Sequence, residues 1–219
     1  NASGNEALFH SGIERMLVQG VSGLLIISRC TDPVPYYVDS PVPVVYAYGP
    51  SRDPDDCSVA QDNVESGCLA VRHLLSCGYT RIAIIAGDSE YSVTHERMRG
   101  ALKALHDAGL QLAGEARFGP WEAEWGRAAA RLLLNDGAAF DAVICQNDVL
   151  ARGCIEELER NGCRVPQDVA VIGHDNSPDY VSYAHPLLTS IDDNNEMLGR
   201  QAALCLLDAI AGHPHHGVE

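Results

Sequence analysis

The sequence predicts a doubly wound α/β protein, in which short buried strands alternate with amphipathic helices around mostly parallel sheets. Two observations carry this. Short, nearly unbroken apolar runs such as Gly23–Ile27, Ile82–Ala86 and Val169–Ile172 read as strands buried on both faces, which in soluble proteins means helices above and below. Between them lie segments whose apolar residues recur at helical spacing, several stopped by a glycine.

In chain order, Phe9, Ile13, Met16 and Leu17 mark a helix from about Asn5 to Gln19, ended by Gly20. Strands follow at Gly23–Ile27 and Val44–Ala47. A helix from about Asn63 to Cys77 carries Val64, Cys68, Val71 and Leu75 on one face and stops at Gly78. Strand Ile82–Ala86 leads to a helix with Met98, Ala101, Leu102 and Leu105 inside, closed by Gly109. A helix from about Glu124 to Leu134 precedes strand Phe140–Ile144, and Leu150, Cys154, Ile155 and Leu158 line the next helix, up to Gly162. Strand Val169–Ile172, an irregular stretch, strand Leu187–Ile191 and a helix with Met197, Ala202, Leu206 and Ile210 complete the pattern. Alternation of this kind builds βαβ units.

With 219 residues, 46% of them hydrophobic, the chain is long enough to bury a sizeable core, and no apolar run is long enough to span a bilayer. The net charge of −15 repels a phosphate backbone, so this chain is not expected to bind DNA by itself. Asn1–Glu6 lack the basic and apolar regions of a secretory signal. The eight cysteines show no C-x-x-C and no zinc spacing, and most sit in apolar segments where a thiol acts as a small hydrophobe. A reducing cytoplasm is the expected compartment. The tail His213-Pro214-His215-His216 could bind adventitious metal but forms no recognised metal-ligand motif and reads as a solvated end, so no metal site is expected.

Ligands of open parallel sheets bind beyond the carboxyl ends of the strands. The residues there are polar: Ser28 and Arg29, Tyr48, Asp88-Ser89-Glu90, Gln146-Asn147-Asp148 and His174-Asp175-Asn176. Such a rim suits a polyhydroxy or heteroaromatic small molecule, since these side chains can each pair two groups on a ligand. Asn147 or Asp148, and one cycle earlier Asp62 or Asn63, can cap the helices that follow at a usual gain of ~1 kcal/mol. Asp62 and Asp148, directly before strong helical periodicity, are expected to be caps rather than ligand contacts. Asp175 has no regular helix beside it and is a ligand candidate. Arg97 is expected in the first turn of its helix, where the macrodipole disfavours a cation, so it is either an exposed ion pair with Glu96 or Glu90 or a clamp for a carboxylate or diol. Trp121, in a loop before a helix, is either core or a stacking platform. There is no G-x-S-x-G elbow, no phosphate-binding loop and no G-x-G-x-x-G fingerprint, so neither an enzyme nor a cofactor is expected.

Several motifs share one order. They include Val59-x-x-Asp62-Asn63-x-x-x-Gly67, His73-Leu74-Leu75-x-x-Gly78-Tyr79-x-Arg81-Ile82-Ala83, and Arg97-x-x-Gly100-x-x-x-Ala104-Leu105. Asp141–Cys145 with Asn147-Asp148, Arg164–Gly173 with Asp175, Pro186–Ile191, and Leu198-Gly199-Arg200-x-Ala202 follow. Over nearly the whole chain the sequence resembles the effector domain of lactose-repressor/galactose-repressor (LacI/GalR) transcriptional regulators. The resemblance implies a periplasmic-binding-protein-like fold of two doubly wound parallel-sheet lobes, with crossovers near Gly87, Ile191 and Gly212. An incomplete amino-terminal lobe would then comprise 1–87 plus 192–211, the carboxy-terminal lobe 88–191, and 212–219 a tail leading into a strand of the second lobe.

The resemblance further implies a small effector, sugar or nucleobase-like, contacted by Arg97, Trp121, Gln146, Asn147 and Asp175. Tyr48 stands where many relatives have Asp or Asn, which implies a different contact there. A homodimer is implied, with operator DNA reached only through an amino-terminal helix-turn-helix that this sequence lacks; the chain is therefore expected to be truncated at both ends. The alternatives are a solute-binding protein of an ABC transporter, which shares the fold, and a metal-dependent phosphohydrolase using Gly173–Asn176, for which an early Asp-x-Asp strand end is missing.

Overall fold

The structure, a computed structural model, describes residues 5–35, 38–137, 139–182 and 186–219. In chain order the elements are α1 (Glu6–Val18), β1 (Leu24–Ile27), β2 (Val44–Tyr48), β3 (Cys57–Ala60), α2 (Asn63–Ser76), β4 (Ile82–Ala86), α3 (Ser92–Asp107), β5 (Arg117–Phe118) and α4 (Ala123–Asn135). There follow β6 (Ala142–Cys145), α5 (Asp148–Arg160), β7 (Ala170–His174), α6 (Pro178–Val181), β8 (Thr189–Ile191), α7 (Asn195–Ile210) and β9 (Gly217–Val218). All strand pairs are parallel, in two sheets ordered β1-β2-β3-β9 and β5-β4-β6-β7-β8.

Two compact units contain these sheets. The five-stranded unit is Asp62–Asp193, and the four-stranded unit takes the segments up to Gln61 and from Asn194 onward. The boundary expected near Gly87 therefore lies 26 residues earlier (87 minus 61), because β4 is hydrogen-bonded between β5 and β6 rather than to the first sheet. The cause is β3: Cys57-Ser58-Val59-Ala60 is short, with a serine inside it, and reads as loop, so the strand count slips by one. In the tail, Gly217 and Val218 pair with Cys57 and Ser58 as a strand of the first sheet. The segment before it is largely exposed, as expected, with His215 the one residue there that is only partly so, bonded to both Asp208 and Glu219.

In the five-stranded unit, β4, β6 and β7 are buried at every position, as their apolar runs require. Ile82, Ile84, Ala86, Ile144 and Ile172 face α2 and α3, with Val71, Leu74, Met98 and Leu105 completing one core. Ala83, Ile85, Val143, Cys145 and Val171 face α4 and α5 on the other side. Each helix pair closes on reciprocal glycines. A Cβ at Gly67 would collide with the Arg97 carbonyl and one at Gly100 with that of Val64, while Gly126 and Gly153 do the same between α4 and α5. Gly78 and Gly162 turn the chain after α2 and α5 with φ of 91° and 82°, a left-handed conformation that glycine adopts without a Cβ penalty.

In the four-stranded unit, α7 covers Val45, Ala47, Cys57 and Val59, and α1 covers Leu24, Ile26 and Tyr46. β1 is an edge strand in which burial alternates, with Ile27 72% exposed. All eight cysteines are free, and among the described residues no helix is long and apolar enough to cross a membrane.

Candidate functional site

The five-stranded sheet fixes where a ligand can enter. From β4 the chain passes through α3 to β5 on one side, whereas β6 lies on the other side of β4. Loops leaving the carboxyl ends of β4 and β6 therefore diverge, and a crevice opens at this switch of strand order. Arg97 lies at this crevice.

Helix α3 starts at Ser92, so Arg97 stands in its second turn, not the first, and escapes most of the dipole penalty. Nor is it an exposed ion pair: it is 4% exposed. Its Nε donates to Asn63 Oδ1 at 3.2 Å, Nη1 to the Gln146 carbonyl, and Nη2 to Asp193 Oδ2 at 2.9 Å. Nη1 also lies 3.6 Å from Asp175 Oδ1. A planar fork with five donors is suited to this, joining α2, β6 and the ends of β7 and β8 in one network. Losing it would leave the Asp193 carboxylate, 3% exposed, without its cation.

Asp175 is the member of this network that meets solvent, with its side chain 40% exposed. It follows β7 at a φ of 94°, an uncommon conformation for a non-glycine residue, and its N–H donates to the Ile191 carbonyl at 3.0 Å. Burial pushes its carboxyl up to about 7; Arg97 works against the rise, and the negative charges of Asp193 and Asp148 add to it. Near neutral pH the group thus supplies both an acceptor and, in part of the population, a donor. His174 is held neutral: burial, then the Arg97 charge, push it down to about 3. Asp148 is fully buried, accepting from Ser190 Oγ at 2.6 Å and from the Ser177 N–H at 2.8 Å, and burial raises its pKa.

Of the residues expected from the sequence, Arg97, Asp175, Gln146 and Asn147 gather in this unit, but not in equal roles. Gln146, 1% exposed, spends its amide on the Gly87 N–H at 3.1 Å and the Thr94 carbonyl at 2.9 Å. It braces the β4 end and offers its backbone carbonyl to Arg97. Asn147 is the N-cap of α5, accepting from the Leu150 N–H at 2.8 Å. Asp148, expected to cap that helix, instead joins α5 to β8 and to the start of α6, through Ser190 and the Ser177 N–H. Asp62 caps α2 as expected, accepting from the Glu65 N–H at 2.8 Å.

The indole of Trp121 lies directly over Gly87, where any Cβ would collide with ring carbons Cη2 and Cζ2, and it stays half-buried against the α4/α5 core. Trp125 Nε1 donates to the Ala86 carbonyl at 3.1 Å. Trp121 is thus both core and the aromatic wall at the β4 end. Tyr48 belongs to the four-stranded unit, at the carboxyl end of β2 with a φ of 75°. Two residues of the Arg97 network went unpredicted. Asn63 reads as a cap from its place beside Asp62, but it reaches Arg97 and, through Nδ2, Glu96 Oε2 at 3.1 Å. Asp193 follows β8 by two residues, and the strand-end rule applied there would have found it.

Residues 71–218 match the family of periplasmic binding protein-like domains. The HTH-type transcriptional regulator CelR of Thermobifida fusca is 34% identical over 217 residues, covering 96% of this chain and 64% of the relative. The HTH-type transcriptional repressor PurR of Haemophilus influenzae (strain PittEE) is 33% identical over 214 residues, covering 94% and 62%. This chain therefore spans less than two thirds of the length of these curated relatives. Among solved structures, a complex of the transcriptional regulator CelR with cellobiose is 31% identical with a TM-score of 0.73, over 95% of this chain and 65% of that one. The lac repressor dimer bound to operator and the anti-inducer ONPF is 27% identical with a TM-score of 0.77, over 95% and 73%.

Proposed function

We propose that this chain, which belongs to the periplasmic-binding-protein-like domains of LacI/GalR transcriptional regulators, senses a small polar effector at the strand ends of its five-stranded unit. The observation that carries this is the pairing of a buried Arg97 with a solvent-facing Asp175. A guanidinium held by Asn63, Gln146 and Asp193 fixes a carboxyl that can both donate and accept, which is what a diol or a nucleobase edge requires. Trp121, over Gly87 at the β4 end, supplies an apolar face, and Tyr48, at a strand end of the four-stranded unit, is a further ligand candidate. Asn147 lends support through its cap. Sugars head the ligand classes, since the CelR relative was solved with cellobiose; nucleobase-like compounds come next.

Occupancy acts as a population shift, favouring closed lobes in a homodimer and so repositioning DNA-binding heads outside this chain, in the cytoplasm. The role is non-enzymatic. A transporter solute-binding protein is not favoured, because the named relatives are transcriptional regulators. A metal-dependent phosphohydrolase loses ground as well, since the cation among Asp175 and Asp193 is the Arg97 guanidinium.

Titration calorimetry with cellobiose, other neutral sugars and purine bases tests the site. For whichever compound binds, Asp175→Ala is expected to weaken affinity about 10- to 100-fold, the worth of a charge-assisted hydrogen bond. Arg97→Lys, which keeps the charge and loses the fork, should weaken it too. Unchanged affinity in both variants overturns the assignment.

A further inference from the structure

Outside that site, the donor atoms of Cys205 on α7 and of His215 and Glu219 in the tail all lie within 4.8 Å of one another. Cys205 Sγ is 3.4 Å from Glu219 Oε2, and His215 Nδ1 is 2.7 Å from Glu219 Oε1. The Cys57 thiol on β3 packs in the same buried core as Cys205. Sequence spacing hides this cluster, because the cysteines reach it through the pairing of β9 with β3 and the packing of α7 on that sheet.

We propose that Cys205, His215 and Glu219, with Cys57 as fourth ligand, form a tetrahedral site for a divalent cation of the zinc class. The donor set decides the class. Thiolate sulfur with imidazole nitrogen suits zinc and its neighbours, whereas calcium and magnesium call for oxygen throughout. The dimensions fit as well. Ligands at zinc-like bond lengths around a tetrahedral ion stand ~3.5 Å apart. Cys205, His215 and Glu219, already within 4.8 Å of one another, need only small adjustments, while Cys57, outside that group but in the same core as Cys205, has to close in on the ion.

A second observation, independent of the ligands, is the shell around them. While Nδ1 of His215 faces the cluster, its Nε2 lies 3.1 Å from Asp208 Oδ2 on α7. Gln201 Nε2 donates to Glu219 Oε2 at 2.9 Å. A histidine whose second nitrogen is held by a carboxylate, beside a carboxylate that is itself hydrogen-bonded, is the outer arrangement that orients metal ligands. Bound there, the cation would clip the tail onto α7 and β3 and so lock β9 into the sheet.

Cobalt(II) reports the ligands directly. The chain, purified under reducing conditions and stripped with a chelator, is expected to take up one cobalt per chain, with a thiolate-to-cobalt charge-transfer band and the intense visible bands of tetrahedral cobalt, all displaced by zinc. Cys205→Ser should abolish the charge-transfer band and Cys57→Ser should weaken it. His215→Ala, at a partly exposed position that leaves the core intact, should lower affinity at least ~10-fold, and Asp208→Asn by ~10- to 100-fold with the band retained. Cys77→Ser, altering an exposed thiol outside the cluster, should change nothing. Absence of stoichiometric uptake overturns the proposal. So does a Cys205→Ser protein that still binds cobalt as tightly, because the tail histidines alone would then be responsible.

Discussion

The two units are built from the same βα cycle, yet they are finished differently. In the five-stranded unit each face of the sheet carries two helices joined through reciprocal glycines, and the central strands β4, β6 and β7 are buried at every position. In the four-stranded unit a single helix packs on each face among the described residues, and β1 leaves Leu25 and Ile27 exposed. By register Leu25 and Ile27 stand beside Val45 and Ala47, on the face that α7 covers, so the coverage runs out at β1 rather than the pattern failing. Apolar strand sequence is therefore not enough for full burial; the second helix on each face supplies it. The better-packed unit is also the one that holds Arg97 by three hydrogen bonds and an ion pair to Asp175.

The largest expected effect tests that link. Gly100→Ala puts a methyl into the Val64 carbonyl across the α2/α3 contact, one turn from Arg97, and α3 must shift away. A loss of ~2–3 kcal/mol in the five-stranded unit is expected, toward the upper end for overpacking, together with weaker effector binding. Both tryptophans of the chain, Trp121 and Trp125, lie in this unit, so their fluorescence during guanidinium unfolding reads it alone. A fluorescence midpoint that does not move would show that the glycine contact is not what organises the site.

Much of this architecture was legible beforehand. Burial on both faces made β4 and β7 visible as apolar runs, and the glycine stops placed the ends of α2, α3 and α5 within a residue or two. What stayed hidden depends on partners distant in sequence. β3 is too short and too polar at Ser58 to declare itself, and missing it moved the boundary between units to Gly87. Gln146 has a side chain that could serve ligand or backbone equally well, and its spacing does not reveal its bonds to the Gly87 N–H and Thr94 carbonyl. Cys57, Cys205, His215 and Glu219 carry no spacing motif because three separate elements bring them together.

A smaller effect concerns the charge in the site, which the four-stranded unit does not share. Because the folded pKa of Asp175 is raised to about 7, the folded unit binds a proton that the unfolded chain releases near pH 4. Its contribution to stability is therefore fully present below pH ~4 and is lost as pH rises through about 7. Asp175→Asn removes this dependence. At pH 8 the variant should be the more stable protein by on the order of 1 kcal/mol, a value discounted for a side chain 40% exposed to screening solvent. Fluorescence-monitored melts at pH 4, 6 and 8 give the comparison, and a variant that tracks its parent at all three would show that Asp175 does not titrate in this range.

The smallest effect comes from the four-stranded unit and runs the other way. Gly199 lies within α7, and a Cβ built on it meets nothing within 4 Å, in contrast to Gly100 on α3. Glycine here costs helix propensity with no packing in return. Gly199→Ala should therefore stabilise the four-stranded unit by ~0.5–1 kcal/mol, through lower unfolded-chain entropy and better helix propensity. Far-ultraviolet circular dichroism sees the helices of both units, whereas tryptophan fluorescence sees only the five-stranded one. The expected result is a dichroism midpoint that rises while the fluorescence midpoint stays in place. If both rise together, the two units unfold as one cooperative block, and the difference in packing between them does not translate into a difference in stability.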